Sequence, residues 1–428
     1  MNLATLAVLL LGAPKAQEAK GATTFTKDVA PIVYARCTSC HRDGEVAPFP
    51  LITYTDVKKR AKFVLEQVEG RRMPPWKPEV GHGDFVGDRR LKTEEIAVFR
   101  RWVDGGCAEG DAGALPAPPK FTDGWAHGEP DLVVKMAEAY TVPAEGRDVY
   151  RAFAIPLNLT EDKFVRAVQY RPSNRRVVHH ALMFLDILGE SRKRDAADPG
   201  PGFKGQQLGL GALSGGGLGG WAPGGVSHPF PDGIAKEIKK GADLVLQLHL
   251  SPSGKPEKEQ SEIVLWFSKA APERIAAMIP IANRNVDIAP GAKAAKITQS
   301  ILLPVDLDLI GIIPHAHYLG KECRAWATTP EGKEIPLIWI KDWDFDWQEQ
   351  YQYKSLLRVP KGSTVRMEWT YDNSAENPRN PSSPPRRVRH GEQTEDEMAM
   401  VFFQVAPKDR ADLMRLMIGA MGGARKKP

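Results

Sequence analysis

The chain has 428 residues, enough for two or three domains that each bury a core. Hydrophobic residues make up 42% and charged residues 26%, and a net charge of +5 is too small for this length to argue for a nucleic-acid partner. With 39 glycines and 35 prolines, the composition favours a turn-rich β architecture over a helical one.

Residues 3–12 (LATLAVLLLG) form a short apolar run followed by small residues. The run is too short to cross a bilayer but suits the core of a secretory signal. Residues 1–22 are therefore expected to be a signal peptide, and the protein to be exported to a periplasmic or extracellular space. Met1-Asn2 lacks the basic side chains that normally precede such a core; either the start is misassigned or the signal is weak. No other stretch approaches ~18 consecutive apolar residues, so no transmembrane segment is expected.

Residues 23–110 read as a small all-α domain. Residues 26–35 lead into a cysteine motif, residues 57–69 have helical apolar spacing, and residues 92–103 form an amphipathic helix with Thr93 as N-cap and Gly105-Gly106 as its stop. The motif Cys37-Thr38-Ser39-Cys40-His41 is the signature of covalent c-type haem attachment, with two thioethers holding the porphyrin and His41 an axial ligand. A zinc half-site would need more ligands, and the region offers only His82 and Cys107. Met73, in Arg71-Arg72-Met73-Pro74-Pro75-Trp76, resembles the distal loop of small bacterial cytochromes c and is expected to be the second axial ligand. His82, or an open position, is the alternative. Cys107 and Cys323 either pair as a disulfide or stay as two separate buried thiols.

Residues 111–128 read as a linker, opening with the Pro/Ala/Gly-rich stretch GDAGALPAPPK at 110–120. The pattern then changes to short strands, predicting two all-β sandwiches over 129–275 and 276–407, with a basic tail over 408–428 that has room for one short helix from 409 before its basic end. In the run ADLVLQLHL, Leu244, Leu246, Leu248 and Leu250 face one side, and Val245, Gln247 and His249 the other. Val365, Met367, Trp369 and Tyr371 alternate likewise. The glycine-dense residues 209–225 read as an exposed loop.

Five of the ten histidines fall in three short strand-like contexts. His315 and His317 are two apart on a predicted strand, so both project from one face, ~7 Å apart along the backbone, and can chelate one metal. Pro314 places that strand at an edge or an end. A thioether completing the pair points to copper. His179 and His180, as neighbours, reach one ion only at a strand end or bulge or through different ring nitrogens. His249 would be the third ligand, and zinc is the general alternative for three histidines.

Four stretches carry a resemblance: Val177-Val178-His179-His180; Gln247-Leu248-His249; His315-Ala316-His317 with Leu319-Gly320-Lys321; and Asp396-Glu397-Met398. From about residue 130 to 405 the chain resembles the copper type II, ascorbate-dependent monooxygenases, the group of peptidylglycine α-hydroxylating and dopamine β-monooxygenase. The resemblance implies two jelly-roll-like β-sandwiches facing across a solvent cleft, with one copper on each. It implies that His179, His180 and His249 hold an electron-relay copper, and that His315, His317 and Met398 hold the copper that meets O₂ and substrate. Met400 is a nearby alternative thioether. The expected reaction is hydroxylation of a C–H bond, with ascorbate as reductant.

The departures bear on substrate and electron supply. The peptide-amidating members anchor a carboxylate with an arginine two residues before the first histidine of the HxH pair, where this chain has Ile313. The assisting Asn and Tyr correspond to Met400 and Phe402. Three apolar residues cannot satisfy a buried carboxylate, so a small neutral or apolar organic substrate is expected. A fused haem c would deliver the two electrons each turnover requires, replacing or supplementing an external donor, a cytochrome or ascorbate. The competing expectations are a non-catalytic haem/copper electron-transfer or copper-binding protein on the same fold, and oxidase or peroxidase chemistry on the same metals. The acid–aromatic run at 342–347 reads as a packed strand and turn, and residues 371–374 as a surface loop.

Overall fold

The computed structural model describes residues 21–43, 45, 47–121, 125–205, 208 and 214–422. The expected signal peptide lies outside the described residues except for its last two positions. The chain divides into two compact units, the described parts of Met1–Pro75 with Arg89–Lys120, and of Trp76–Asp88 with Phe121–Pro428. The domain expected over 23–110 is thus interrupted, because residues 76–88 belong with the strands. Within that second unit Trp76 packs edge-on against Tyr351, and Phe85 stacks on Tyr353.

The first unit is helical. A π-turn, Phe25–Val29, runs into the helix Ala30–Arg36, and Tyr54–Lys59, Ala61–Glu69 and Thr93–Asp104 follow. The single helix expected over 57–69 is two, because Arg60 leaves helical geometry (φ −119°, ψ 11°). Thr53 and Asp56 cap the first by exchanging side-chain and backbone bonds. Thr93 is the first helical residue rather than the cap; the cap position is Lys92, whose N–H donates to Glu95 at 2.6 Å. Phe25, Val33, Val57, Phe99 and Trp102 share the core. The linker contains one 3-10 turn, Ala112–Ala114, started by the Asp111 carboxylate accepting the Gly113 N–H.

The second unit is built of sheets, antiparallel but for the pairing of Arg274–Ile275 with Ile234–Ile238. One five-stranded sheet has the order Leu132–Lys135, Glu262–Phe267, Lys163–Arg171, Ile234–Ile238, Arg274–Ile275. The other has the order Phe203–Lys204, Val149–Pro156, Asp243–Leu250, Val178–Asp186, Gly216–Trp221. Leu244, Leu246, Leu248 and Leu250 join Val165, Ile263 and Leu265 in one core, as the alternation predicts. A second core lies among the strands of two four-stranded sheets. The first of these is Ala277–Ala282, Met400–Val405, Leu307–His315, Tyr351–Val359. The second is Ala295–Leu302, Thr364–Tyr371, Gly320–Thr328, Glu334–Ile340. The expected boundary after residue 275 falls between the last strand of the first pair and the first strand of the second.

Several expectations change. The glycine-dense stretch is not simply an exposed loop: Gly216–Trp221 pairs with Val178–Asp186, and residues 209–213 lie outside the described residues. The glycines permit close packing, since a Cβ at Gly217 would sit 3.0 Å from the Met278 sulfur, and one at Gly224 would overlap the Trp347 ring. Cys107 and Cys323 are free thiols, and Cys323 is sealed in the second core, which leaves it no surface from which to pair. Residues 371–374 are not a surface loop, because Asn373 is fully buried and its amide donates to the carbonyls of Ala289 and Arg386. The tail, by contrast, carries the helix expected there, Arg410–Gly422. Among the described residues no helix is long and apolar enough to cross a membrane.

Candidate metal centre

His179 and His180 lie near the start of Val178–Asp186, and His249 lies near the end of the adjacent strand Asp243–Leu250. The register between these strands slips between Val178 and His180, and His180 then pairs directly with His249. This bulge is the device the sequence required, letting two consecutive side chains turn towards one point. One ligand atom from each of the three rings lies within 4.8 Å of those of the other two.

The outer nitrogens decide which atoms face inward. His249 Nε2 bonds the Asp148 carboxylate at 2.8 Å, and His179 Nε2 meets Asp346 at 3.3 Å. His179 and His180 bring their Nδ1 atoms to 3.2 Å of each other. His249 Nδ1 is buried with no hydrogen-bond partner. A ring nitrogen orphaned in this way ordinarily costs ~1–3 kcal/mol, and an ion bound by the three rings would remove the cost. Carboxylates behind ligating imidazoles fix the tautomer and raise ligand basicity. Burial pushes the Asp148 carboxyl up, but hydrogen bonds from His249 and Thr394 outweigh it and hold it below its usual value. Tyr150 stacks on His249 with ring centroids 4.3 Å apart.

The second set presents the opposite nitrogens. His315 ends the strand Leu307–His315, and its Nδ1 bonds Gln348 Oε1 at 2.6 Å. His317 lies just past the strand, with Nδ1 3.0 Å from the Asp396 carbonyl. Both rings therefore keep Nε2 for a ligand. Pro314 sits where this strand has outrun its partner Tyr351–Val359, which its missing N–H allows. His315 faces Met400 in register. Past the strand ends, His317 and Met398 are tied to one carboxylate, since the N–H groups of both donate to Glu397.

Glu397 ties these pieces together. Its carboxyl is fully buried and accepts the N–H groups of His317, Leu319 and Met398. Burial pushes it up to about 8, against the pull of those donors. Burial also pushes His315 down to about 4, His317 to about 3, and His180 well below its ordinary value. His249 is lowered by burial as well, with Asp148 opposing. Neutral imidazoles are the form that binds a metal ion.

Ile313 and Phe402 are a cross-strand pair beside the His315–Met400 pair. Ile313, Met400 and Phe402 therefore lie next to His315 on one face of the sheet.

Sequence reasoning missed the residues that hold the histidines. The run at 342–347, set aside as packing, continues as the second contact set of the centre. Trp343 Nε1 donates to the His317 carbonyl, Phe345 stacks on His179 at 4.7 Å, Asp346 meets His179, and Gln348 holds His315. Its alternation of acids and aromatics was the available signal.

In the helical unit, Cys37 ends the helix Ala30–Arg36, and the next turn returns His41 N–H to the Cys37 carbonyl at 2.9 Å. His41 Nδ1 bonds the Phe49 carbonyl at 3.0 Å, which leaves Nε2 for a ligand. Cys37 is buried and Cys40 half-buried. Phe63 is 51% exposed and lies edge-on to Phe49, which packs against His41, and Met73 is 43% exposed. These features fit a haem. His82 belongs to the second unit, where it lies edge-on to Trp339.

No protein-family model matches this chain, and no curated protein matches it. Among solved structures it is similar to the major capsid protein P2 from bacteriophage PM2, with 10% identity, 64% of this chain and 96% of that chain covered, and a TM-score of 0.24. It is also similar to the infectious bursal disease virus VP2 subviral particle (10% identity, 65% and 78% covered, TM-score 0.18). A two-domain protein of unknown function from Bacteroides fragilis matches at 11% identity, 60% and 94% coverage and a TM-score of 0.17. Scores this low carry no argument about fold or function.

Proposed function

We propose that this chain is an exported, copper-dependent monooxygenase that hydroxylates a C–H bond of a small neutral or apolar organic substrate with O₂, using electrons delivered through a c-type haem of its own. The observation that carries the reading is the paired presentation of ring nitrogens. His179, His180 and His249 turn Nδ1 inward and His315 and His317 keep Nε2 for a ligand, each set fixed from behind by carboxylates, a side-chain amide or a backbone carbonyl. His179, His180 and His249 would hold one copper, and His315, His317 and Met398 the other. When bound, copper supplies the one-electron steps and the activation of O₂ that hydroxylation requires. Zinc fits three histidines equally well, but a thioether in the second set favours copper.

The chain's own residues then have assignable tasks. Asp148 and Asp346 hold His249 and His179 in the tautomer that keeps Nδ1 free. Glu397 fixes the backbone that carries His317 and Met398. Ile313, Met400 and Phe402 receive an apolar group beside His315 and offer a carboxylate nothing to bond. In the helical unit Cys37, Cys40, His41 and Met73 would hold the haem, and a haem held by histidine and methionine would have a raised potential that suits electron transfer.

The test is product analysis under ¹⁸O₂ with apolar and peptidylglycine substrates side by side. One ¹⁸O atom in an alcohol from an apolar substrate supports the reading. Oxygen reduction with no labelled product points instead to oxidase chemistry on the same metals, no oxygen consumption at all returns the chain to a haem/copper electron-transfer role, and turnover of peptidylglycine at comparable rates overturns the assigned substrate class.

Two further outcomes are expected. Asp148→Asn should weaken copper binding at the three-histidine set about 10–100-fold in a chelator competition, while leaving the HxH set near its original affinity. Replacing Cys37 and Cys40 together by serine should leave no haem attached to the polypeptide after acid–acetone extraction, whereas the unaltered chain keeps its haem.

A further inference from the structure

We infer that the five histidines form one shared pocket that would hold a magnetically coupled pair of copper ions, rather than two isolated sites facing across a solvent cleft. The inference rests on the copper reading above and concerns how the two sets are arranged.

The rings of His180 and His315, one from each set, have centroids 6.2 Å apart and stand nearly perpendicular, at 84°. Within the sets the corresponding separations are 4.6 Å for His179–His249, 4.9 Å for His180–His249 and 5.4 Å for His315–His317. The step between sets is therefore hardly longer than the steps inside them.

A common wall supports this. Phe345, 1% exposed, lies against rings of both sets, 4.7 Å from His179, 6.1 Å from His249 and 5.7 Å from His317. A cleft filled with water would leave that ring wet on at least one side. The same short segment bonds to both sets, Asp346 to His179 and Gln348 to His315. A second segment also serves both. Thr394 donates to Asp148, which holds His249, and two residues later the Asp396 carbonyl holds His317. Movement of one set away from the other would break both links.

The consequence for the reaction is geometric. Phe345 lies against rings of both sets, so substrate is expected to approach from outside the space between them. It reaches His315 from the patch formed by Ile313, Met400 and Phe402.

The experiment is electron paramagnetic resonance on the full chain loaded with cupric ions, with bound copper counted by metal analysis. With two ions per chain, the expected result is a copper signal well below two spins per chain, or a half-field transition from interacting spins. Neither feature should appear in the unaltered chain loaded with one equivalent, nor in His249→Ala. Two full, non-interacting spins and no half-field transition would overturn the coupled arrangement and leave the copper reading standing. Binding of fewer than two ions would instead overturn the copper reading, and the inference with it.

Discussion

Glu397→Ala should destabilise the second unit by ~3–5 kcal/mol, read as a lowered midpoint in chemical denaturation, because it strands the N–H groups of three residues inside the protein. The side chain is fully buried, so water cannot take over as acceptor. Glutamine keeps one acceptor oxygen and should recover part of the loss. The effect extends to the metal centre, since two of the three stranded groups belong to His317 and Met398. Copper at the HxH set should be lost from Glu397→Ala under conditions where the three-histidine set remains loaded. A stability loss under about 1 kcal/mol would mean that the backbone around Glu397 finds other partners and that the residue does not organise the site.

His315→Ala should reduce bound copper from two ions to one and lower hydroxylation at least ~10³-fold, equivalent to ~4 kcal/mol of activation free energy. The fold should barely respond, because the ring is half-buried at a strand end and its partner Gln348 also donates to the Phe345 carbonyl. Metal analysis, labelled-product yield and a denaturation curve separate the three effects. Two bound ions with normal turnover would remove His315 from the ligand set. One bound ion with normal turnover would instead place the chemistry at the three-histidine set.

The histidines themselves were legible because each is an event in a regular local pattern. Alternation in ADLVLQLHL sets His249 on the face opposite four leucines, and the structure puts those leucines in the core. Two consecutive histidines on a strand demanded an irregularity, and the register slip after Val178 supplies it. Spacing of two placed His315 and His317 on one face. The motif Cys37-Thr38-Ser39-Cys40-His41 could be read for the same reason, since it lies within five consecutive residues.

The supporting groups were not legible. Asp148 is 101 residues from His249, and Asp346 is 167 residues from His179. No local period marks an acid that matters only because the fold folds it back onto a ring. The glycine-dense stretch misled for a related reason. Glycine signals a loop locally, yet here several glycines allow close approach to Met278 and Trp347. Helix boundaries also shifted, because Arg60 breaks a periodicity that continues across it.

By itself, then, the sequence determined the β-rich class, the alternation that puts four leucines opposite His249, and the side-chain types that these strands carry. These follow from side-chain alternation and composition, which act over a few residues. Only the tertiary structure decided which ring nitrogen each histidine presents, which residues hold it, and how close the two sets stand. Those properties depend on pairings across a hundred or more residues, where burial and hydrogen-bond satisfaction select one arrangement out of many that the local pattern allows.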